Sequence, residues 1–368
     1  GLNMKWLGFI FAFCLLVSTF GSGNMPQIDN ISSTLNSSFG INPLITAIVM
    51  SILVGSVIIG GIKRISSIAA SIVPLMALIY FIGGLSVLIF NYENIIPSLK
   101  IIIFDVFEGS SVVGGFLGAS FSLAFTYGVA RGLYSNEAGQ GSAPIAHATS
   151  KTKHSVEEGF VSILEPFIDT LIICTLTGLV ILSSGAWTEK FTNEFERSSM
   201  YVVNGSLDEK KDNVEILKLL SGEVSKLEEF SGELVVSSGK ISNQISIINN
   251  RSIAEEVIIY KNNELFTGVI NIKENTIDSS FKFIGKSLVK SAVLTSKAFN
   301  KGFFGNYGEF IVSIGLLLFA FSTVITWAYY GDRCTAYLFG ESAIIYYRLL
   351  YIFAFFIAGS GYIDTEII

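Results

Sequence analysis

The chain has 368 residues, of which 51% are hydrophobic and only 15% charged, with a net charge of −6. A soluble domain carries about a quarter charged residues, so this composition excludes an ordinary soluble fold, and an acidic balance without a basic stripe excludes a nucleic-acid partner. Three cysteines, Cys14, Cys174 and Cys334, without Cys-x-x-Cys spacing imply neither a disulfide framework nor a thiolate metal site.

The apolar residues fall into runs of roughly twenty, the length that crosses a ~30 Å hydrocarbon core at 1.5 Å per residue. In chain order the runs predict seven spans, at 4–25, 42–61, 68–90, 112–134, 159–183, 309–330 and 344–361. The first has the basic residue, apolar stretch and small residues of a signal peptide. Because the chain opens on Gly1 and closes within a few residues of an apolar run, a fragment lacking both ends is the simpler expectation. That first run closes in GSGNMPQ, where Gly21 and Gly23 precede Asn24, Pro26 and Gln27. Pro26 removes a helical hydrogen bond and opens the backbone. Side-chain amides donate to a carboxylate and accept from an ammonium, so Asn24 and Gln27 are candidate contacts for a zwitterion. The alternative is a polar helix end at the outer interface.

The fourth run, GGFLGASFSLAFTYG, collects Gly114, Gly115, Gly118, Ala119, Ser120 and Ser122. Small residues let helices approach closely in lipid, and clustered glycine weakens helical continuity. An interrupted helix is viable only beside protein or a water-filled cavity, where its ends bind charged groups. A tightly packed structural helix competes with this reading. The following stretch, YGVARGLYSNEAGQGSAPIAHA, places Gly128, Gly132, Gly139 and Gly141 where hinge changes would be absorbed during closure. A static loop is the alternative. His147 and His154 lack metal spacing and read as solvated loop residues.

In the fifth run Glu165 and Asp169 stand four apart, on one helix face. A carboxylate inside a membrane is functional by default; the competing, favoured reading is a structural charge pairing with Arg131. The segment 189–301 then loses membrane character and holds fifteen of the twenty-four Lys and Arg residues. NVEILKLLSGEVSKLEEF has helical spacing, and EEVIIYKNNELFTGVINI reads as a hairpin turning near 261–264. A small α+β domain is the expectation, a disordered loop the alternative. Two Asn-x-Ser sequons, at Asn204 and Asn250, suit a surface. Lys5, Lys63, Arg64, Arg131, Lys151, Lys153, Arg333 and Arg348 fall on one side of the alternating spans, Lys100 on the other. The positive-inside rule makes that side cytoplasmic and 189–301 extracytoplasmic. The division is 1–188 and 302–368 as two parts of a transmembrane core, with 189–301 inserted between them.

In the sixth run Ser322 and Thr323 offer two oxygens from one helix to a hard cation; hydroxyls bonded back to their own helix are the alternative. Trp327 lies one turn on, facing the same way. It would wall a small cavity, or else sit in an interfacial belt. FCLLVSTFGSGNM and LLFAFSTVITWAY each place a Ser-Thr pair within an apolar span.

YGVARGLYSNEAGQGSAPIAHA, EPFIDTLIICTLTGLVILSSGAW and IGLLLFAFSTVITWAYYGDRC closely resemble segments of the alanine or glycine:cation symporter family, as do GGIKRISSIAASIVPLMALIY and GSGNMPQ. The resemblance spans the chain except near 189–290. It implies a LeuT-type core of two inverted five-helix repeats, the seven spans matching core helices three to nine. The first core helices, with a GTGNIAG-like motif, and the last are then missing. The long insertion departs from the family's short loop, and Thr126 stands where members often carry a basic residue. The function implied is symport of alanine or glycine with Na⁺, or H⁺, across the plasma membrane by alternating access. Ser322 and Thr323 would bind Na⁺, Asn24, Gln27 and Trp327 the substrate, and no other cofactor is implied. The alternatives are a membrane sensor using the insertion, and an intramembrane enzyme built on Glu165, Asp169 and Asp332.

Overall fold

The structure, a computed structural model, describes residues 4–108, 121–209, 211–221, 224–262, 264–273, 277–278 and 280–361. The chain begins with α1 (Lys5–Gly21), α2 (Met25–Phe39), α3 (Pro43–Ile58), α4 (Gly61–Phe90), α5 (Ile95–Glu108) and α6 (Phe121–Tyr134). Two short helices, α7 (Glu137–Gln140) and α8 (Ala143–His147), lead to α9 (Ser155–Pro166). A π-helical segment, Phe167–Cys174, joins α9 to α10 (Thr175–Ser183). The polar segment contributes β1 (Lys190–Glu194), β2 (Met200–Asn204), α11 (Asn213–Ser221), β3 (Gly232–Ser237), β4 (Lys240–Ile241), β5 (Ile245–Asn249), β6 (Ser252–Ile253), β7 (Glu255–Lys261), β8 (Glu264–Leu265), β9 (Gly268–Ile272) and β10 (Phe281–Leu288). The chain closes with α12 (Ser291–Asn300), α13 (Gly308–Phe339) and α14 (Ile344–Gly359).

Local chemistry explains the boundaries. Gly40 ends α2 in the left-handed region (φ 67°), where only glycine is at ease. Asn42 then caps α3, its Oδ1 accepting from the Leu44 N–H at 2.9 Å, with Pro43 at the first helical position.

Among the described residues, five helical stretches are long and apolar enough to cross a membrane: Lys5–Asn36, Gly61–Phe90, Ser155–Ser183, Gly305–Phe339 and Glu341–Gly359. The molecule is therefore mostly helical and a multi-pass membrane protein. The predicted run at 42–61 is the shorter apolar helix α3. Of the run at 112–134, α6 is described, and 112–120 with its glycines lies outside the described residues. The run at 309–330 is longer than predicted, because α13 continues to Phe339. Asp332, two residues past the predicted run, is therefore inside a helix and 1% exposed.

Two compact units emerge. The first comprises 1–91, 132–180 and 295–368, the second 92–131 and 181–294. In the first, one apolar core draws Leu15 of α1, Ile28 and Ile31 of α2, Val54 and Ile58 of α3, Val324 and Trp327 of α13, and Tyr351 and Phe355 of α14. In the second, all strand pairs are antiparallel, in sheets ordered β1-β10-β7-β8, β2-β5-β6 and β4-β3-β9. The expected hairpin is present, with Lys261 opposite Glu264, and NVEILKLL is helical as α11. Alternation places Leu234, Val236, Ile270 and Ile272 in that unit's own core.

Candidate functional site

Residues 22–24 interrupt the first apolar stretch between α1 and α2. Gly23 is packed so closely that a Cβ there would overlap the ring of Trp327 on α13. Asn24 is fully buried. Its Nδ2 donates to the Tyr351 carbonyl of α14 at 2.8 Å, while its Oδ1 is buried without a hydrogen-bond partner. The Tyr351 hydroxyl donates toward two carbonyls, Gly23 at 3.1 Å and Val324 at 3.0 Å. One hydrogen cannot fully serve both. The Tyr347 hydroxyl donates to Thr19 Oγ1 at 3.1 Å, and Thr19 donates to the Leu16 carbonyl at 2.7 Å. Helices α13 and α14 thus converge on a break between α1 and α2 that holds an unused acceptor.

The structure brings Asn24 and Trp327 to this break. Trp327 is 4% exposed and meets Tyr330 edge-on, ring centroids 5.8 Å apart. Gln27 is half-buried and turns back, donating to the Ser22 carbonyl at 3.3 Å. Ser322 and Thr323 both donate to the Phe319 carbonyl, at 2.8 and 3.0 Å, and Ser322 also approaches Met76 Sδ at 3.9 Å. This is the back-bonding usual for hydroxyls in membrane helices. It consumes the hydrogens and leaves oxygen lone pairs that a cation can use.

A second polar group gathers around α8. His147, expected to be solvated, is held: Nδ1 lies 2.7 Å from Glu158 Oε1, and Nε2 lies 3.9 Å from Glu165 Oε2. Glu137 accepts a hydrogen bond from the Tyr330 hydroxyl. Burial pushes the Glu137 carboxyl above the usual carboxylate range; the bond from Tyr330 opposes the shift and the charge of Glu165 adds to it. Asp169 lies in the first turn of the π-helical segment, its Oδ2 buried without a hydrogen-bond partner. Arg131 is exposed and belongs to the second unit, whereas Glu165 and Asp169 belong to the first.

Of the candidate hinge glycines, Gly141 is left-handed (φ 77°), and a Cβ on Gly139 would overlap the Leu133 carbonyl. Gly128 and Gly132 have open space beside them. Sequence reasoning missed Tyr347 and Tyr351 of α14. It also missed the buried ion pair of Asp332 with Arg348, in which Nη2 lies 2.7 Å and Nε 3.1 Å from the carboxylate oxygens. The signal was present in Asp332 itself, an acid just past an apolar run that has to find a cation.

Comparison with known sequences adds an independent line. The sodium:alanine symporter family model matches residues 1–211 and 267–366. An uncharacterized transporter of Haemophilus influenzae is 31% identical over 353 residues, covering 96% of this chain and 56% of the relative. The sodium/alanine symporter AgcS of Methanococcus maripaludis is 31% identical over 352 residues, with the same shares. The uncharacterized transporter YflA of Bacillus subtilis is 44% identical over 190 residues, 52% of this chain and 40% of the relative. The chain spans about half the length of the curated relatives it matches. The polar segment is less foreign than the sequence reading held, since the family match leaves out only 212–266.

Proposed function

Because the chain belongs to the sodium:alanine symporter family, a family of transporters and not of enzymes, we propose that the whole protein carries a small neutral amino acid, alanine or glycine, together with Na⁺ across the plasma membrane. The observation that carries this reading is the fully buried Asn24, whose Oδ1 accepts nothing at a helix break. A buried acceptor without a donor costs about 1–3 kcal/mol, and a substrate ammonium would remove that cost. The N-terminus of α2, one residue on, favours the carboxylate end of the same zwitterion. Trp327 closes the side of the break and would leave room for a methyl-sized side chain. Ser322 and Thr323, whose hydrogens go to the Phe319 carbonyl, would offer their oxygen lone pairs to Na⁺, and H⁺ is the other coupling ion this site could serve.

The finer architecture belongs to the same reading. A LeuT-type inverted repeat would pair α1 with α13, whose Ser-Thr pairs share part of their bonding. Thr19 donates to a carbonyl three residues back, and Ser322 and Thr323 to one three and four back. The segment 189–301 is extracytoplasmic, between core parts 1–188 and 302–368. Gly128, Gly132, Gly139 and Gly141 give the connecting stretch its hinge, and Glu165 and Asp169 are structural charges. The name of the AgcS relative supports alanine and sodium.

The test is uptake of labelled alanine by the full-length protein in liposomes, with a Na⁺ gradient, a pH gradient or neither. Asn24→Leu, which keeps the volume and removes the amide, is expected to raise the half-saturating alanine concentration about ten- to hundredfold, the worth of a hydrogen bond to a charged group. An unchanged alanine dependence would sink the site, and uptake indifferent to both gradients would sink the coupling.

A further inference from the structure

We infer that His147 is a proton-titrated positioning residue: clamped between Glu158 and Glu165, it ties the 137–165 stretch to α13 through Glu137 and Tyr330, and the tie tightens as pH falls. The asymmetry of its two contacts is the starting point. At 2.7 Å the Nδ1···Glu158 contact is a hydrogen bond, and at 3.9 Å the Nε2···Glu165 contact is not. A neutral imidazole carries a single N–H. With that hydrogen on Nδ1 for Glu158, Nε2 turns a lone pair toward the Glu165 carboxylate, which holds the two apart. A second proton makes Nε2 a donor, converts repulsion to attraction, and draws α8 onto α9 at both ends of the ring. Imidazole is the side chain whose ordinary titration falls between pH 5 and 8.

The groups facing His147 are known from every element around it. Glu137 comes from α7, and Glu158 and Glu165 from α9. Asp169 of the π-helical segment stands near Glu165, and Tyr330 of α13 stands behind Glu137. The charge they bring is negative, and a proton on His147 relieves it. With the Glu165 charge compensated, the Glu137 carboxylate accepts from Tyr330 more strongly. Tyr330 in turn packs edge-on against Trp327, the ring that covers Gly23. His147 therefore acts on the helix break through two intermediaries and touches nothing there. The link to transport rests on the function proposed above; the pH-dependent tie stands apart from it.

The decisive experiment does not use transport. In the full-length protein in detergent, with Cys14, Cys174 and Cys334 replaced by alanine, Ser142→Cys reports on the joint, because Ser142 is fully buried beside α8. Its rate of modification by a methanethiosulfonate reagent, divided by that of a Lys151→Cys control, is expected to rise two- to fivefold from pH 5.5 to 8, the range of a partly exposed ion pair. His147→Gln abolishes the rise. Glu165→Gln also abolishes it but holds the rate low, because its side-chain amide donates to the neutral Nε2 and, turned over, accepts from the protonated one. If Ser142→Cys fails to fold, hydrogen exchange of residues 137–147 in the unsubstituted chain, corrected for intrinsic rates, gives the same readout. A ratio flat with pH in the parent protein, or a rise that survives His147→Gln, overturns the inference whatever the substrate proves to be.

Discussion

Gly23 is the residue on which the helix break depends. A Cβ added to its neighbour Gly21 would have nothing within 4 Å, whereas a Cβ on Gly23 would enter the Trp327 ring. Gly23→Ala is therefore expected to destabilise the full-length protein by about 1–3 kcal/mol, the usual penalty of overpacking. Gly21→Ala should shift stability by less than about 1 kcal/mol. Thermal unfolding in detergent separates the two, and equal melting temperatures would mean that Trp327 does not press on the break. Asn24 was legible in the sequence because a polar amide between glycines and Pro26, at the end of an apolar run, has few other reasons to be there. Its orphaned Oδ1 was not legible, since the partner of Nδ2 is a backbone carbonyl 327 residues away. His147 was misread for a related reason: its carboxylates lie on α9, and only the fold of α8 against that helix brings them near.

At the scale of elements, α13 and α14 are fastened by close approach and by charge. A Cβ on Gly331 would overlap the Tyr347 hydroxyl, and one residue on, Asp332 meets Arg348. Arg348 also donates from Nη1 to the Ile59 carbonyl, just beyond the end of α3, at 3.3 Å. Breaking a buried pair from one side leaves a charge uncompensated and costs about 3–5 kcal/mol, whereas replacing both partners can be neutral. Asp332 is 1% exposed and the Arg348 side chain 16%. Arg348→Met, which strands the deeper charge, should lower the melting temperature more than Asp332→Asn does. The double variant should recover most of the loss. Additive losses would show that the pair contributes no coupling. The spans themselves were readable because twenty apolar residues have one physical use. Their ends were less so: α13 runs on past Tyr330 since an ion pair allows an acid within it, which hydropathy alone cannot anticipate.

Across the whole molecule, large apolar side chains such as Trp6, Phe9, Phe13, Ile52 and Phe353 are more than half exposed on the helices. Lipid, not water, suits that surface. The orientation proposed from basic-residue asymmetry turns 189–301 outward and predicts that Ser238→Cys, at an exposed turn, reacts with a membrane-impermeant reagent in intact cells. Reaction only after permeabilisation would invert the topology. The β-rich segment has one further property. Lys190, where it sets out, is the antiparallel partner of Leu288, where it comes home, so its two ends lie one strand spacing apart, ~4.8 Å. A chain that leaves and returns at one doorstep can be lengthened, trimmed or exchanged without pulling on what precedes or follows it. The segment is built as a removable cassette. Residues 212–266, which the family match passes over, lie wholly inside it, between ends whose pairing does not depend on what the interior contains.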